Sequence, residues 1–279
     1  ADDPARFAGL GTVTFSATAD PAKSYPISDK LIGIFFEDIN YAADGGLYAE
    51  LVQNRDFEYT PSDRKGDPAW CATHSWSTTG DGTATVDTIA PIHPNNPHYM
   101  SVKGSVTLTN SGYDGISLTK GEKYRLSVAL RTPHAVNIAA TLTTPEGETV
   151  AKGVLKAKGS DGWATCTTLL RASRSVSGAR LNLIFPKGTD AGVDMVSLFP
   201  KNTFKGRENG LRADLAQTLA DLRPRFVRFP GGCVAHGNGI DNIYDWKGSV
   251  GPLEARKPLR NIWNYHQTRG LGYHEYFLF

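Results

Sequence analysis

Two places in the 279-residue sequence put reactive side chains where an α/β protein keeps its chemistry. The first is Glu37. It directly continues the apolar run Leu31-Ile32-Gly33-Ile34-Phe35-Phe36, and Asp38 and Asn40 follow it. Six apolar residues in a row suit a strand buried on both faces, as in a parallel sheet. Carboxylates at the C-terminal end of such a strand are where barrel enzymes hold substrates and do their chemistry. The plain alternative is that Asp38 and Asn40 cap the next helix, which suits Asp38 better than Glu37. The second place is Cys233, at the end of Phe226-Val227-Arg228-Phe229-Pro230-Gly231-Gly232-Cys233. There an apolar strand runs into a Pro-Gly-Gly turn, and glycines let the backbone approach a ligand closely. The alternatives are an ordinary tight turn and a cysteine acting as a small buried apolar side chain.

Composition narrows the class. Hydrophobic residues make up 40% and charged residues 21%, enough apolar matter for a globular core. The length suits one large domain or two ordinary ones. Net charge is +2 with the basic residues scattered, so no nucleic-acid footprint is present. No apolar run reaches the roughly 18 residues that would span a bilayer, which excludes a membrane-spanning helix. Ala1-Asp2-Asp3-Pro4 reads either as a mature end left by signal removal or as an arbitrary boundary. A secreted or periplasmic location is expected, with a cytoplasmic one left open. Cys71, Cys166 and Cys233 match no zinc spacing. A Cys71–Cys166 disulfide and three free thiols both remain open. The seven histidines show no ligand spacing, so no transition metal is assigned.

The elements that must position Glu37 and Cys233 come in two textures. Residues 1–30 read as an arm in which Thr12–Ala17 alternates like a strand. Gly45-Gly46 opens a helical stretch over Leu47–Val52, with Leu47/Leu51 and Tyr48/Val52 at i, i+4 spacing. Residues 59–199 are rich in Thr, Ser, Gly and Pro. Short alternating runs recur there at Thr83–Asp87, Met100–Thr109, Lys123–Leu130, Asn137–Leu142, Thr165–Arg171 and Arg180–Phe185. Turn signals separate them at Asn110-Ser111-Gly112, Pro145-Glu146-Gly147 and Ser160-Asp161-Gly162, the pattern of an all-β sandwich. Helical texture returns with Leu211, Leu215, Leu219 and Leu222, ended by Pro224. Residues 231–258 form a long loop, and helical turns are expected around Ile262–Tyr265 and Tyr276–Leu278.

The α/β segments closely resemble glycoside hydrolase family 51, the α-L-arabinofuranosidases. The stretches that carry the likeness are Gly33–Asn40 continuing through Asp44–Glu58, then Leu222–Cys233, then Tyr244–Lys247, Val250–Pro252, Arg256, Trp263–Tyr265 and Gly270–Tyr273. More loosely, Asn54–Glu58 and Val193–Leu198 resemble the opening motif and closing strand of a family 4/9 carbohydrate-binding module. The resemblance implies an α/β plus all-β chain: the first two strand–helix units of a (β/α)8 TIM barrel, interrupted by a jelly-roll β-sandwich. The expected division is an arm at 1–30 belonging to a sandwich absent here, barrel at 31–58, the binding-module-like domain at 59–199, and barrel again at 200–279.

The implied activity is a retaining glycosidase that removes terminal arabinofuranosyl units from arabinan or arabinoxylan-type glycans. It needs two carboxylates ~5–5.5 Å apart, one as acid/base and one as nucleophile. In the family both lie later in the barrel, so no glutamate here takes either role, and the chain is expected to be an inactive N-terminal fragment. Glu37 is implied to accept hydrogen bonds from arabinose hydroxyls. Cys233 with Gly231 and Gly232 is implied to line the sugar site, and Trp246 to wall the leaving-group side. No cofactor is implied for catalysis. The module resemblance implies a structural calcium at Glu58 and Asp194, against the alternative of two surface carboxylates. Trp70, Trp76, Tyr99, Tyr113, Tyr124 and Trp163 are its possible sugar platforms, most of them expected to be core. The expected partners are an arabinose-containing glycan, and the remainder of the parent chain or another copy, because a partial barrel exposes strand edges. The rival reading is a non-catalytic carbohydrate-binding protein acting through the β-sandwich.

Overall fold

The computed structural model describes residues 9, 11, 12 and 14–279. Most of the core lies in two antiparallel sheets built from residues 76–200. One sheet holds, in spatial order, β10 (Ser160–Arg171), β7 (Lys123–Thr132), β12 (Asp190–Pro200), β4 (Tyr99–Lys103) and β3 (Thr83–Asp87). The other holds β2 (Trp76–Thr79), β5 (Val106–Asn110), β11 (Val176–Phe185), β8 (Val136–Thr143) and β9 (Thr149–Ala157), with β6 (Ile116–Leu118) also paired to β11. Alternation decides which side chains meet between them. Leu126, Val128 and Leu130 of β7 face Leu181, Leu183 and Phe185 of β11 within one buried cluster. Each such Leu→Ala change would cost about 2–5 kcal/mol.

Two strand limits differ from those the turn signals predict. Met100–Thr109 divides into β4 and β5 at Gly104, whose φ is +83°. Ser160-Asp161-Gly162 is not a turn; it is the irregular start of β10, where the register shifts between Ser160 and Ala164. All three cysteines are free thiols.

The remainder packs against one end of this sandwich. β1 (Ile34–Phe35) and β13 (Val227–Arg228) pair in parallel, Ile34 with Val227 and Phe35 with Arg228. The ladder continues on both sides. Arg225 N donates to Ile32 O at 2.9 Å, Phe36 N to Arg228 O at 2.9 Å and Asp38 N to Pro230 O at 3.2 Å. The strand is shorter than its six-residue apolar run predicts, and Phe35 is 53% exposed. Among the described residues β1 has one neighbour, so burial on both faces is not achieved.

Three further expectations fail. No strand forms among the described residues of 12–17, where Phe15 is exposed, and Val13 lies outside the described residues. Without a partner ladder, alternation alone does not make a strand. The helix expected over Leu47–Val52 does not form, and residues 48–52 are not helical. A single wide turn over Ala43–Leu47 breaks at Asp44–Gly46, with Gly45 at φ +82°. Tyr48 bridges to Leu211, and Ala49 N donates to Gly210 O. Residues 47–51 therefore run as an extended seam between the two parts. Glu50 locks that seam: its carboxylate accepts from the Leu51, Val52 and Leu198 amides and from Ser197 Oγ. Lastly, the turns expected at Ile262–Tyr265 are a hairpin of β14 (Leu259–Asn261) and β15 (Tyr265–Gln267). Asn264 takes its positive φ of +66° at the tip.

Helix α1 (Ala213–Asp221) carries the expected leucine stripe, but only Ala216 is fully buried on it. Leu222 at its end is 62% exposed. Two short helices follow, α2 (Cys233–His236) and α3 (Tyr273–Leu278).

Candidate functional site

The parallel pair brings Glu37 and the Pro-Gly-Gly turn side by side. Each sits at the C-terminal end of its strand, so the sheet itself sets their separation. The Phe229–Pro230 peptide is cis. Gly231 has φ +145°. A Cβ added there would lie 2.8 Å from the Glu37 Cβ and Cδ, and closer still to Cγ. Glycine is thus required twice over, by backbone conformation and by the carboxylate stem lying on it. Gly232 is different: its φ is −93°, and an added Cβ would approach only the Arg228 guanidinium, at 3.7 Å.

The chain then enters α2. The Val234 amide donates to Glu37 Oε1 at 3.0 Å, which aims the carboxylate across the mouth of the turn. No hydrogen bond among the described residues involves Glu37 Oε2. Cys233 opens the same helical turn and is half-buried. Glu37 and Gly231 are therefore in contact, and Cys233 opens the helical turn whose next amide holds the carboxylate, so an acceptor, a glycine and a thiol are neighbours along this edge. Such an edge suits a small polyhydroxylated ligand, whose hydroxyls donate to an ionised carboxylate.

Trp246 is not on that edge. It is 49% exposed and lies 5.5 Å from the Tyr273 ring. Tyr273 in turn packs edge-on to Phe229, 5.0 Å away, one residue before Pro230. Trp246 thus reaches the turn through an aromatic relay. Its own position is set by Asp245, which accepts from the Lys247 and Gly248 amides at 3.1 Å each. The loop is anchored from below by Arg256. That buried guanidinium donates two parallel hydrogen bonds to the Glu275 carboxylate, each at 2.9 Å, and also donates to the Arg269 and Gly270 carbonyls.

Sequence reasoning treated Asp38 as a cap, and in part it is one: its Oδ1 accepts from Ala43 N at 3.1 Å. The larger role was invisible in sequence because its partners lie over 220 residues away. Tyr265 and Gln267 of β15 and Asn261 of β14 all bond to Asp38, which is fully buried. Burial pushes this carboxyl up to about 7, with the Asp44 charge adding to the rise, against the lowering effect of the hydrogen bonds from Ala43, Tyr265 and Gln267.

The two carboxylates expected to hold calcium lie apart in accessibility. Glu58 is engaged by His98, through its amide at 2.7 Å and its ring Nδ1 at 2.6 Å. Asp194 is fully buried at the β12 irregularity, where Met195 takes φ +45°. Its Oδ1 accepts from Met195 N at 2.7 Å, while Oδ2 has no partner. Buried Asp56 likewise has an unpaired Oδ1. Burial holds the Asp194 carboxyl well above the usual range; the Met195 bond opposes this and the Asp56 and Glu58 charges reinforce it. Asp194 Oδ2 and Asp56 Oδ1 are the oxygen donors left for a hard cation. No group of three or more His, Cys, Asp or Glu side chains converges as a metal set among the described residues. Of the six aromatics in the β region, Trp70, Trp76, Tyr99 and Tyr124 are buried, while Tyr113 and Trp163 are half-buried.

The chain is similar to known α-L-arabinofuranosidases. A family described as "Alpha-L-arabinofuranosidase 1 domain" matches residues 218–279. An extracellular exo-α-L-arabinofuranosidase of Streptomyces chartreusis is 40% identical over 95% of the chain, which covers 33% of that enzyme. Alpha-L-arabinofuranosidase 1 of Arabidopsis thaliana is 36% identical over 95% of the chain, covering 40% of that enzyme. The arabinose-bound structure of the α-L-arabinofuranosidase MgGH51 superposes with a TM-score of 0.79 at 33% identity, over 89% of this chain and 42% of that one. The chain thus spans a third to two-fifths of the relatives it matches.

Proposed function

We infer that this relative of the family 51 α-L-arabinofuranosidases supplies one wall of an arabinofuranose pocket in a retaining glycosidase. The enzyme would remove terminal α-L-arabinofuranosyl units from arabinan- or arabinoxylan-type glycans. The observation that carries this reading is Glu37, lying on Gly231 with one oxygen fixed by the Val234 amide and the other open. A carboxylate held in this way accepts hydroxyl hydrogens and fixes the furanose ring in one orientation. Its anchored oxygen costs the ligand no ordering entropy. Cys233 offers a soft, compact surface to the same ring, and Trp246 with Tyr273 forms the step onto which the departing sugar would stack.

In this reading Glu37 binds and does not attack. The acid/base and nucleophilic carboxylates come from outside the residues described, as does the rest of a (β/α)8 barrel around β1 and β13. The exposed faces of Phe35, Phe226 and Leu222 would be covered by that remainder or by a second copy. The jelly-roll reading of the two-sheet region, its role as a binding module and the domain limits at residues 30, 58 and 199 belong to the same proposal. A calcium ion would be held by Asp194 with Asp56, and Glu58 would join only if His98 withdrew; its work there would be structural. Export from the cytoplasm fits the Streptomyces relative, named as extracellular. No helix is long and apolar enough to cross a membrane among the described residues.

The test is titration with methyl α-L-arabinofuranoside, which cannot relax to the pyranose form. The wild-type chain is expected to bind it, and Glu37→Ala to lose at least about tenfold in affinity, the worth of a charge-assisted hydrogen bond. Equal affinity in the two proteins would remove Glu37 from the site.

A further inference from the structure

Asp38 is oriented away from the wall that Glu37 forms, yet it is the most heavily tethered residue near it. Its amide donates to Pro230 O, at the start of the glycine turn. Its carbonyl accepts from Asn261 Nδ2 at 2.8 Å and from the Tyr265 hydroxyl at 2.5 Å. Its carboxyl accepts from Ala43 N at 3.1 Å, from the Tyr265 hydroxyl at 2.9 Å and from Gln267 Nε2 at 2.6 Å. Contacts with five residues thus fix the peptide that follows Glu37, the single Tyr265 hydroxyl hydrogen being shared between the Asp38 carbonyl and Oδ1. The Glu37 side chain has one anchoring bond, from the Val234 amide, and its carbonyl accepts from Ile39 N at 2.9 Å.

We propose that Asp38 is a positioning residue for Glu37: the clamp of Tyr265, Gln267, Asn261 and Ala43 sets the end of β1 so that one Glu37 oxygen meets Val234 and the other faces the ligand. The proposal rests on the reading of Glu37 as an arabinofuranose-binding group. It also explains why the β14–β15 hairpin is buried against the end of β1. Tyr265 is held in place by stacking on Tyr41 at 4.5 Å, so the clamp has little freedom of its own.

Asparagine should serve in place of Asp38. Its carbonyl would still accept from Ala43 and Tyr265. Its amide would donate to Gln267 once the Gln267 amide rotates, because Gln267 Oε1 is buried without a partner. Alanine offers neither bond, and Tyr265→Phe removes the shared hydroxyl bond while keeping the stack.

The readout is hydrogen exchange of the Val234 amide, which Glu37 alone protects, measured beside ligand affinity. Asp38→Ala and Tyr265→Phe are expected to lower Val234 protection by about tenfold or more, as Glu37→Ala does, with sandwich amides such as Val102 and Leu181 unchanged. Asp38→Asn should retain it. Affinity for methyl α-L-arabinofuranoside should follow the same order. Unchanged Val234 protection in Asp38→Ala, or an equal fall at Val102 and Leu181, overturns the proposal. If Asp38→Ala fails to fold, Tyr265→Phe and Asp38→Asn decide by the same criteria. A wild-type chain that binds no arabinofuranoside but shows this exchange pattern would refute the pocket reading and leave the positioning role standing.

Discussion

Gly231→Ala is the sharpest perturbation of the site, because two independent costs fall on one methyl group. The φ of +145° lies where an L-residue is strained, at about 1–2 kcal/mol. The new Cβ would also press on the Glu37 Cβ, Cγ and Cδ, which are the stem of the side chain and not a movable tip. Glu37 must swing aside, and its bond to Val234 goes with it. That loss adds about 1.5–3 kcal/mol for a hydrogen bond to a charged group. Together the substitution should destabilise the α/β part by about 2.5–5 kcal/mol and abolish arabinofuranoside binding. Gly232→Ala is the control: a φ of −93° and 3.7 Å to the nearest atom predict a change within about 0.5 kcal/mol. Urea unfolding followed by tryptophan fluorescence gives the first quantity and calorimetric titration the second. Equal effects from the two glycines, or full binding by Gly231→Ala, would refute the reasoning.

Other consequences can be measured on the same chain. Asp38 has its proton affinity raised in the folded state, so stability should fall as pH climbs from about 4 through about 7; Asp38→Asn should flatten that fall by about 1.4 kcal/mol per pH unit. His266 is buried, which opposes its charge, but its hydrogen bond to Asp63 and the charges of Asp56, Asp63 and Asp44 outweigh this and raise its proton affinity. The stability it contributes should be complete below about pH 6.5 and lost as pH rises through its higher folded value, a fall that Asp63→Asn should abolish in urea midpoints. Arg256→Ala leaves Glu275 buried and unpaired and should cost about 3–5 kcal/mol, visible as a lowered urea midpoint. Calcium at millimolar levels should raise the thermal midpoint of the wild-type chain and leave Asp194→Asn unmoved; an equal response of both would remove Asp194 from any cation site.

What the sequence disclosed follows the range of the interactions involved. Short alternating runs such as Lys123–Leu130 and Arg180–Phe185 are strands because alternation is a local signal that one buried core rewards. The strand ends that carry Glu37 and Gly231 were legible because each closes an apolar run, and the parallel ladder aligns those ends. Leu47–Val52 failed because its i, i+4 pattern is outbid by backbone bonds to residues 198, 210 and 212, far along the chain. The Asp38 clamp was illegible for the same reason: Tyr265 and Gln267 sit over 220 residues away, on a hairpin whose aromatic residues read as helical. His98 on Glu58 is another such case, since nothing local marks a histidine 40 residues on as a partner.

The central claim, that Glu37 and Cys233 share one arabinofuranose wall, can be tested through the thiols. Cys71, Cys166 and Cys233 are all free and all half-buried, so two serve as internal controls for the third. Alkylation by iodoacetamide, mapped by peptide mass, should be slowed by methyl α-L-arabinofuranoside at Cys233 alone, and Glu37→Ala should remove that protection. Equal rates at Cys233 with and without the sugar, at a concentration that saturates binding, would contradict the account.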